Sequence, residues 1–291
     1  MTDRVDKQWK DKGLAGYSTE AILGTLGHYG VALDEAGFRT AAQARFPMEL
    51  ALSWKAKWKG TGQFATFPFA AASELYGRLV PDAVPPAKVA TKLLEVIATG
   101  LGSLAGKPSD LPAALTGLEE LLSKLPAPGE RRDSFLSEFV GYVQAWAKPF
   151  NELPSQLAAA GRKDEALRVA KVNEGLFPDR EGCVTALVRA ATGERDAVVA
   201  DLKARVGDPA KDVFARYAAL DALFTLEEHE TVKLQGLHVF DAAAAGQKWG
   251  LADTIAHLLG HLVQKVGADG AYVREVQSRL ELAHHHGGGH H

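Results

Sequence analysis

The chain has 291 residues, 46% hydrophobic and 24% charged, enough apolar material for one large domain or two helical lobes and too much for a disordered polymer. A net charge of −3 gives no bulk attraction to nucleic acid or to an anionic membrane, so neither is expected as a partner. The single cysteine, Cys183, excludes an internal disulfide and a cysteine-cluster zinc site.

The opening MTDRVDKQWKDKG is polar, with no apolar stretch behind it that would make a secretion signal. No apolar run reaches the roughly 18 residues needed to span a bilayer. A cytoplasmic protein is therefore expected. Short alanine-rich amphipathic stretches follow, predicting helices over 19–28, 31–46 and 48–59, with Pro47 well placed for a first helical turn. Trp54 and Trp58 stand one turn apart on the third of these, with Leu50 on the same face and Lys55, Lys57 and Lys59 around them. Such a ridge is either a buried edge flanked by lysine stems or an anchor for a protein partner, which makes Trp54 and Trp58 the candidate partner-binding residues.

Gly60-Thr61-Gly62 breaks the pattern, and helices are predicted again over 68–79, 86–104, 110–125 and 130–147. Pro81, Pro85-Pro86, Pro108, Pro126 and Pro128 punctuate them, because proline clashes with a preceding helical turn. Phe135, Phe139, Tyr142 and Trp146 fall on one side of the last helix. The stripe suits the seam of a bundle, and alternatively the lining of a cavity for a small apolar ligand. The stretch from Pro149 to Pro154 is the best division between an N-terminal helical region, 1–150, and a C-terminal helical-hairpin region, 151–283. The last eight residues, HHHGGGHH, are expected to form a flexible tail, 284–291, outside the fold.

In the second half, helices are predicted over 151–160, 163–176, 181–192, 194–206, 209–224, 226–245, 250–266 and 270–282. The segments AAAGRKDEAL, from Ala158, and AATGERDAVV, from Ala190, share a helix end at glycine, a charged turn and a new helix, with Gly161 and Gly193 32 residues apart. Glycine suits such a helix end because it takes a positive φ without steric cost. The pattern of Gly161, Asp164, Glu165, Ala166 and Leu167, with Pro178 after the helix, resembles a tetratricopeptide-type helical repeat over about 150–207. That resemblance implies paired antiparallel helices, often presenting a surface to another protein. The expected fold is all-α: a solenoid-like or irregular array of antiparallel helical hairpins.

One helix carries candidate metal ligands. In LADTIAHLLGHLVQ, from Leu251, Asp253, His257 and His261 recur every four residues and so share one face, opposite Leu251, Ile255, Leu258, Leu262 and Val266. His229, on the preceding helix, is a possible further ligand. Two or three imidazoles with a carboxylate suit zinc, iron or manganese, and the bland alternative is a solvated helix face. The chain lacks a dinucleotide-binding glycine motif, a phosphate-binding loop, a serine nucleophile elbow and the His-Glu-x-x-His zinc motif. A noncatalytic scaffold that assembles or neutralises a protein partner is the leading expectation. A metal-binding protein or metal-dependent enzyme using Asp253, His257, His261 and His229 comes next, and a carrier of small apolar ligands third.

Overall fold

Helix-stopping residues set the architecture. The computed structural model describes residues 4–127 and 129–287, and the described residues form helices and no strand, the all-α multi-helix array that the periodicity predicts. The first eight α-helices are α1 (Trp9–Lys12), α2 (Thr19–His28), α3 (Glu35–Ala44), α4 (Pro47–Lys55), α5 (Phe67–Leu79), α6 (Pro86–Leu104), α7 (Leu111–Leu122) and α8 (Glu130–Val143). The next eight are α9 (Ala147–Ala159), α10 (Lys163–Leu176), α11 (Cys183–Arg189), α12 (Arg195–Gly207), α13 (Val213–Thr225), α14 (His229–Ala245), α15 (Trp249–Val266) and α16 (Gly270–Gly287). No helix among the described residues is long and apolar enough to cross a membrane.

The chain forms two compact units. The first comprises the residues up to Thr99 together with Pro112–Lys148, and the second Gly100–Leu111 together with Pro149 onward. The Pro149–Pro154 stretch puts a division at 150/151, whereas the units change at 148/149 and the second also takes in Gly100–Leu111. The segment belongs to the second unit because Gly100 meets Leu153 there: a Cβ at Gly100 would stand 2.9 Å from a methyl of Leu153. Nor do Pro149 and Pro154 interrupt the chain, since α9 runs through both. Pro149 lies in the first turn, where its missing N–H costs little, and Pro154 is buried inside the helix.

In the first unit α5 packs against α2, α3 and α4. Ile22, Leu26, Phe38, Phe46, Leu50, Phe67, Leu75 and Tyr76 fill the core. The polar opening is docked rather than loose. Val5, Trp9 and Leu14 are buried, and Trp9 sets its ring edge against Phe67 at 5.3 Å. The Val5 N–H donates to the Thr25 hydroxyl at 3.0 Å.

The tryptophan ridge belongs to the same core. Trp54 is 7% exposed and packs with Phe38 at 6.2 Å. Because α4 stops at Lys55, Trp58 falls beyond it, stacks on Phe67 at 5.9 Å and tilts against Tyr29 at 5.1 Å. Its indole N–H donates to the Phe64 carbonyl at 3.0 Å. Trp54 is thus the buried edge of the two readings, and Trp58, half-buried, holds its stretch of chain to the same core. The aromatic stripe divides as well. Phe135 and Phe139 are buried and stacked at 5.8 Å, filling the core, while Tyr142 and Trp146 are 40% and 43% exposed. The α-helical register ends at Val143, and the 3₁₀ turn Gln144–Trp146 carries Trp146 off the stripe.

In the second unit α10 to α16 stack in chain order. Each packs on the next, and α11 also meets α13, α12 meets α14, α13 meets α15 and α14 meets α16. Leu202, Leu220, Leu223, Val232, Phe240, Ile255 and Leu259 lie among the buried core residues. Three of the turns between helices are built alike. At Gly161 (φ 78°), Glu227 (φ 62°) and Gln247 (φ 56°) the backbone enters the left-handed region, and the next residue begins the following turn of chain. The N–H of Arg162 bonds the carbonyl of Leu157, that of Glu228 bonds Leu223, and that of Lys248 bonds Ala243, at 2.9, 3.0 and 2.9 Å. These are Schellman closures, which satisfy the last carbonyls of each helix. Gly193 (φ 106°) makes the corresponding break between α11 and α12.

The C-terminal helix is longer than predicted. α16 continues past 282 to Gly287, so His284, His285 and His286 are helical, which corrects the expected flexible tail from 284. Ala283 is fully buried, and His286 stacks on Trp249 at 4.2 Å, which anchors the extension. Residues 288–291 lie outside the described residues.

Candidate functional site

Among the described residues of the second unit, two constellations hold a buried side-chain oxygen that lacks a hydrogen-bond partner. The larger is a groove of about 490 Å³ built from α9, α10, α11 and α13. α9 contributes Asn151, Glu152, Ser155 and Gln156, two pairs at four-residue spacing that place them on one side of the helix. Val184 and Leu187 of α11 form an apolar wall, and Tyr217, Asp221 and Thr225 of α13 form a polar one at the same spacing. Ala218 and Ala222 leave the depth between them.

The groove floor is an amide pair. Asn173 of α10 is fully buried, and its side-chain N–H donates to the Asn151 carbonyl oxygen at 3.1 Å. Arg180, on the 3₁₀ turn Pro178–Arg180, donates to the same oxygen at 2.9 Å and lies over the Phe177 ring at 5.2 Å. These two donors leave the Asn173 carbonyl oxygen buried without a hydrogen-bond partner. A buried acceptor of this kind is costly unless something donates to it. Asp221 is an exposed residue, but the protein packed around its carboxyl in the groove wall partly desolvates it and raises it above the usual carboxylate range, while the nearby Arg180 opposes the shift. The Tyr217 phenol is pushed up to about 12, chiefly by burial and then by Asp221. Cys183, at the groove edge, is 5% exposed, and burial pushes its thiol up to about 11, as for a structural cysteine rather than a nucleophile.

The second constellation joins α15 to α16. Asp253 and His257 stand one turn apart on α15, and α16 brings His284 to them. The Asp253 Oδ1 lies 3.7 Å from His257 Nε2 and 3.3 Å from His284 Nε2. The two imidazole rings are 5.7 Å apart. Ligand atoms of the three residues all lie within 4.8 Å of one another. The Oδ1 atom is buried and accepts no hydrogen bond.

The four ligands expected from sequence are not gathered. His261 lies one turn beyond His257, on an exposed part of α15, outside the cluster. His229 opens α14 and lines a different cavity of about 380 Å³ with Glu230, Lys233, Leu262, Val266 and Tyr272. Leu262 is nine positions along α15 from Asp253, roughly 13 Å at the helical rise, so His229 faces the opposite end of that helix. The spacing of Asp253 and His257 is legible in the sequence. The arrival of His284 depends on how far α16 extends and on its register, which the sequence pattern leaves open. The Tyr217–Asp221–Thr225 stripe is likewise readable, whereas Asn151 and Asn173 meet only through packing. Compared with protein-family models, curated proteins and solved structures, the chain matches none.

Proposed function

We propose that the second unit is a noncatalytic helical-hairpin scaffold that binds an extended, basic segment of a protein partner in the α9–α11–α13 groove. The observation that carries this reading is the buried Asn173 carbonyl beneath an open groove. It is an unsatisfied acceptor on a residue that lines the groove, and a donor from a bound chain would satisfy it. Asp179 and Asp221 stand with Arg180 in the groove lining, an acidic balance that favours lysine or arginine side chains in the occupant. Val184 and Leu187 supply an apolar contact between the polar positions.

The test is fluorescence anisotropy with a defined library of eight-residue peptides that differ in charge and in apolar content. Peptides combining basic and apolar residues are expected to bind, more weakly at high salt, and Leu187→Arg is expected to abolish binding by filling the groove with a like charge. Equal binding to the wild type and to Leu187→Arg would remove the groove from the mechanism. Asp221 adds a pH signature. Because its carboxyl is raised, basic peptides should bind more tightly as pH rises and Asp221 ionises. An Asp221→Asn variant should lose that dependence and bind at the low-pH level throughout.

A further inference from the structure

We propose that Asp253, His257 and His284 form a binding site for one divalent transition-metal ion such as zinc, which clips the end of α16 to the first half of α15. The site is independent of the groove and of what the groove binds. Zinc takes imidazole nitrogen and carboxylate oxygen at about 2.0–2.2 Å, which in tetrahedral geometry separates neighbouring ligand atoms by roughly 3.3–3.5 Å. The carboxylate oxygen and His284 Nε2 already stand 3.3 Å apart, and His257 Nε2 is 3.7 Å from the same oxygen. The remaining separation, within 4.8 Å, closes by rotating exposed imidazoles, whose side chains are 55% and 62% accessible at His257 and His284. Water completes the coordination from the solvent side.

Three features show that the site is built rather than accidental. The buried Asp253 Oδ1 has no hydrogen bond, although imidazole nitrogens stand 3.7 and 3.3 Å from it, so it remains an unsatisfied acceptor that a cation would satisfy. The helix carrying His284 is held from both sides: Arg279 pairs with Asp241 of α14 at 3.0 Å, and His286 stacks on Trp249 of α15. Two ligands share one turn of α15 and the third comes from α16, so one ion crosslinks two helices across a 26-residue loop between His257 and His284. Imidazole and carboxylate ligands rank Cu²⁺ above Zn²⁺ in intrinsic affinity, so copper is expected to compete.

The experiment uses chelator-stripped full-length protein carrying His285→Ala, His290→Ala and His291→Ala, so that the terminal histidines cannot hold the ion by themselves. His286 is kept for its stack on Trp249. Zinc is titrated with a competing chromophoric chelator, cobalt(II) absorption reports the geometry, and melting temperature reports the clip. This background is expected to bind one zinc per chain, to give the intense cobalt spectrum of a low-coordinate site, and to melt higher with zinc. Asp253→Asn and His257→Ala should each weaken zinc at least tenfold while circular dichroism stays unchanged, and His261→Ala should leave affinity as it was. Loss of all zinc binding in the background, or affinity indifferent to both Asp253→Asn and His257→Ala, would overturn the site.

Discussion

At Gly236 of α14 a hydrogen atom occupies the place of a side chain because Leu259 of α15 lies across it. A Cβ there would overlap a Leu259 methyl, and Leu259 is fully buried, so it has nowhere open to turn. Gly236→Ala is therefore expected to destabilise the second unit by about 1–3 kcal/mol in urea denaturation, the usual range for overpacking. In the first unit Glu138 is 9% exposed, with its carboxylate accepting from the Met48 N–H at 3.0 Å and the Tyr142 hydroxyl at 3.4 Å. Burial nonetheless pushes its carboxyl up to about 6. A raised carboxyl favours the protonated folded form, so this contribution to stability is full below the usual carboxylate range and is lost as pH rises through about 6. The difference in unfolding free energy between wild type and Glu138→Gln should fall across that window and then level off. A flat difference from pH 4 to 7 would show that the carboxyl is not perturbed.

At the scale of elements, the hairpin turns carry the design of the second unit. Their left-handed positions are occupied by glycine at 161 and 193 but by Glu227 and Gln247 elsewhere. An L-residue with a side chain costs roughly 1–2 kcal/mol in that conformation, partly offset by the chain entropy that glycine gives up. Gln247→Gly is thus expected to stabilise by up to about 1 kcal/mol, and Gly161→Ala to destabilise by about as much, both read from chemical denaturation curves. The same turns explain what was legible beforehand. Amphipathic spacing placed nearly every helix, and the glycines of AAAGRKDEAL and AATGERDAVV marked two turns. Glu227 and Gln247 carry no glycine signal, yet their flanking periodicity located the helices on either side. The failures share one cause, tertiary contact overriding local preference. Pro149 and Pro154 read as breaks but are accommodated within α9, and the His-rich end reads as a tail but is pinned through Trp249. For the site, spacing along one helix revealed Asp253 with His257. Pairs assembled from different helices, His284 with Asp253 and Asn151 with Asn173, have no sequence signature at all.

At the scale of the molecule, the two units have separate probes. Trp9, Trp54, Trp58 and Trp146 belong to the first, while the one thiol, Cys183, is buried in the second. Leu202→Ala removes a fully buried side chain from the second core and should lower its stability by about 2–5 kcal/mol. With Trp249 replaced by Phe, thiol exposure to an alkylating reagent should shift to lower denaturant, and indole emission should shift less. Equal shifts would mean that the units melt as one. The stacking of α10 to α16 in chain order also has a mechanical consequence. Each helix leans on its near neighbours in sequence, and α16 leans on α15 and α14 alone among the principal helix packings. Tension applied at the C-terminal end therefore meets resistance from one hairpin at a time, and the chain should pay out in small successive steps, like a ladder unhooked rung by rung, rather than rupture in a single event.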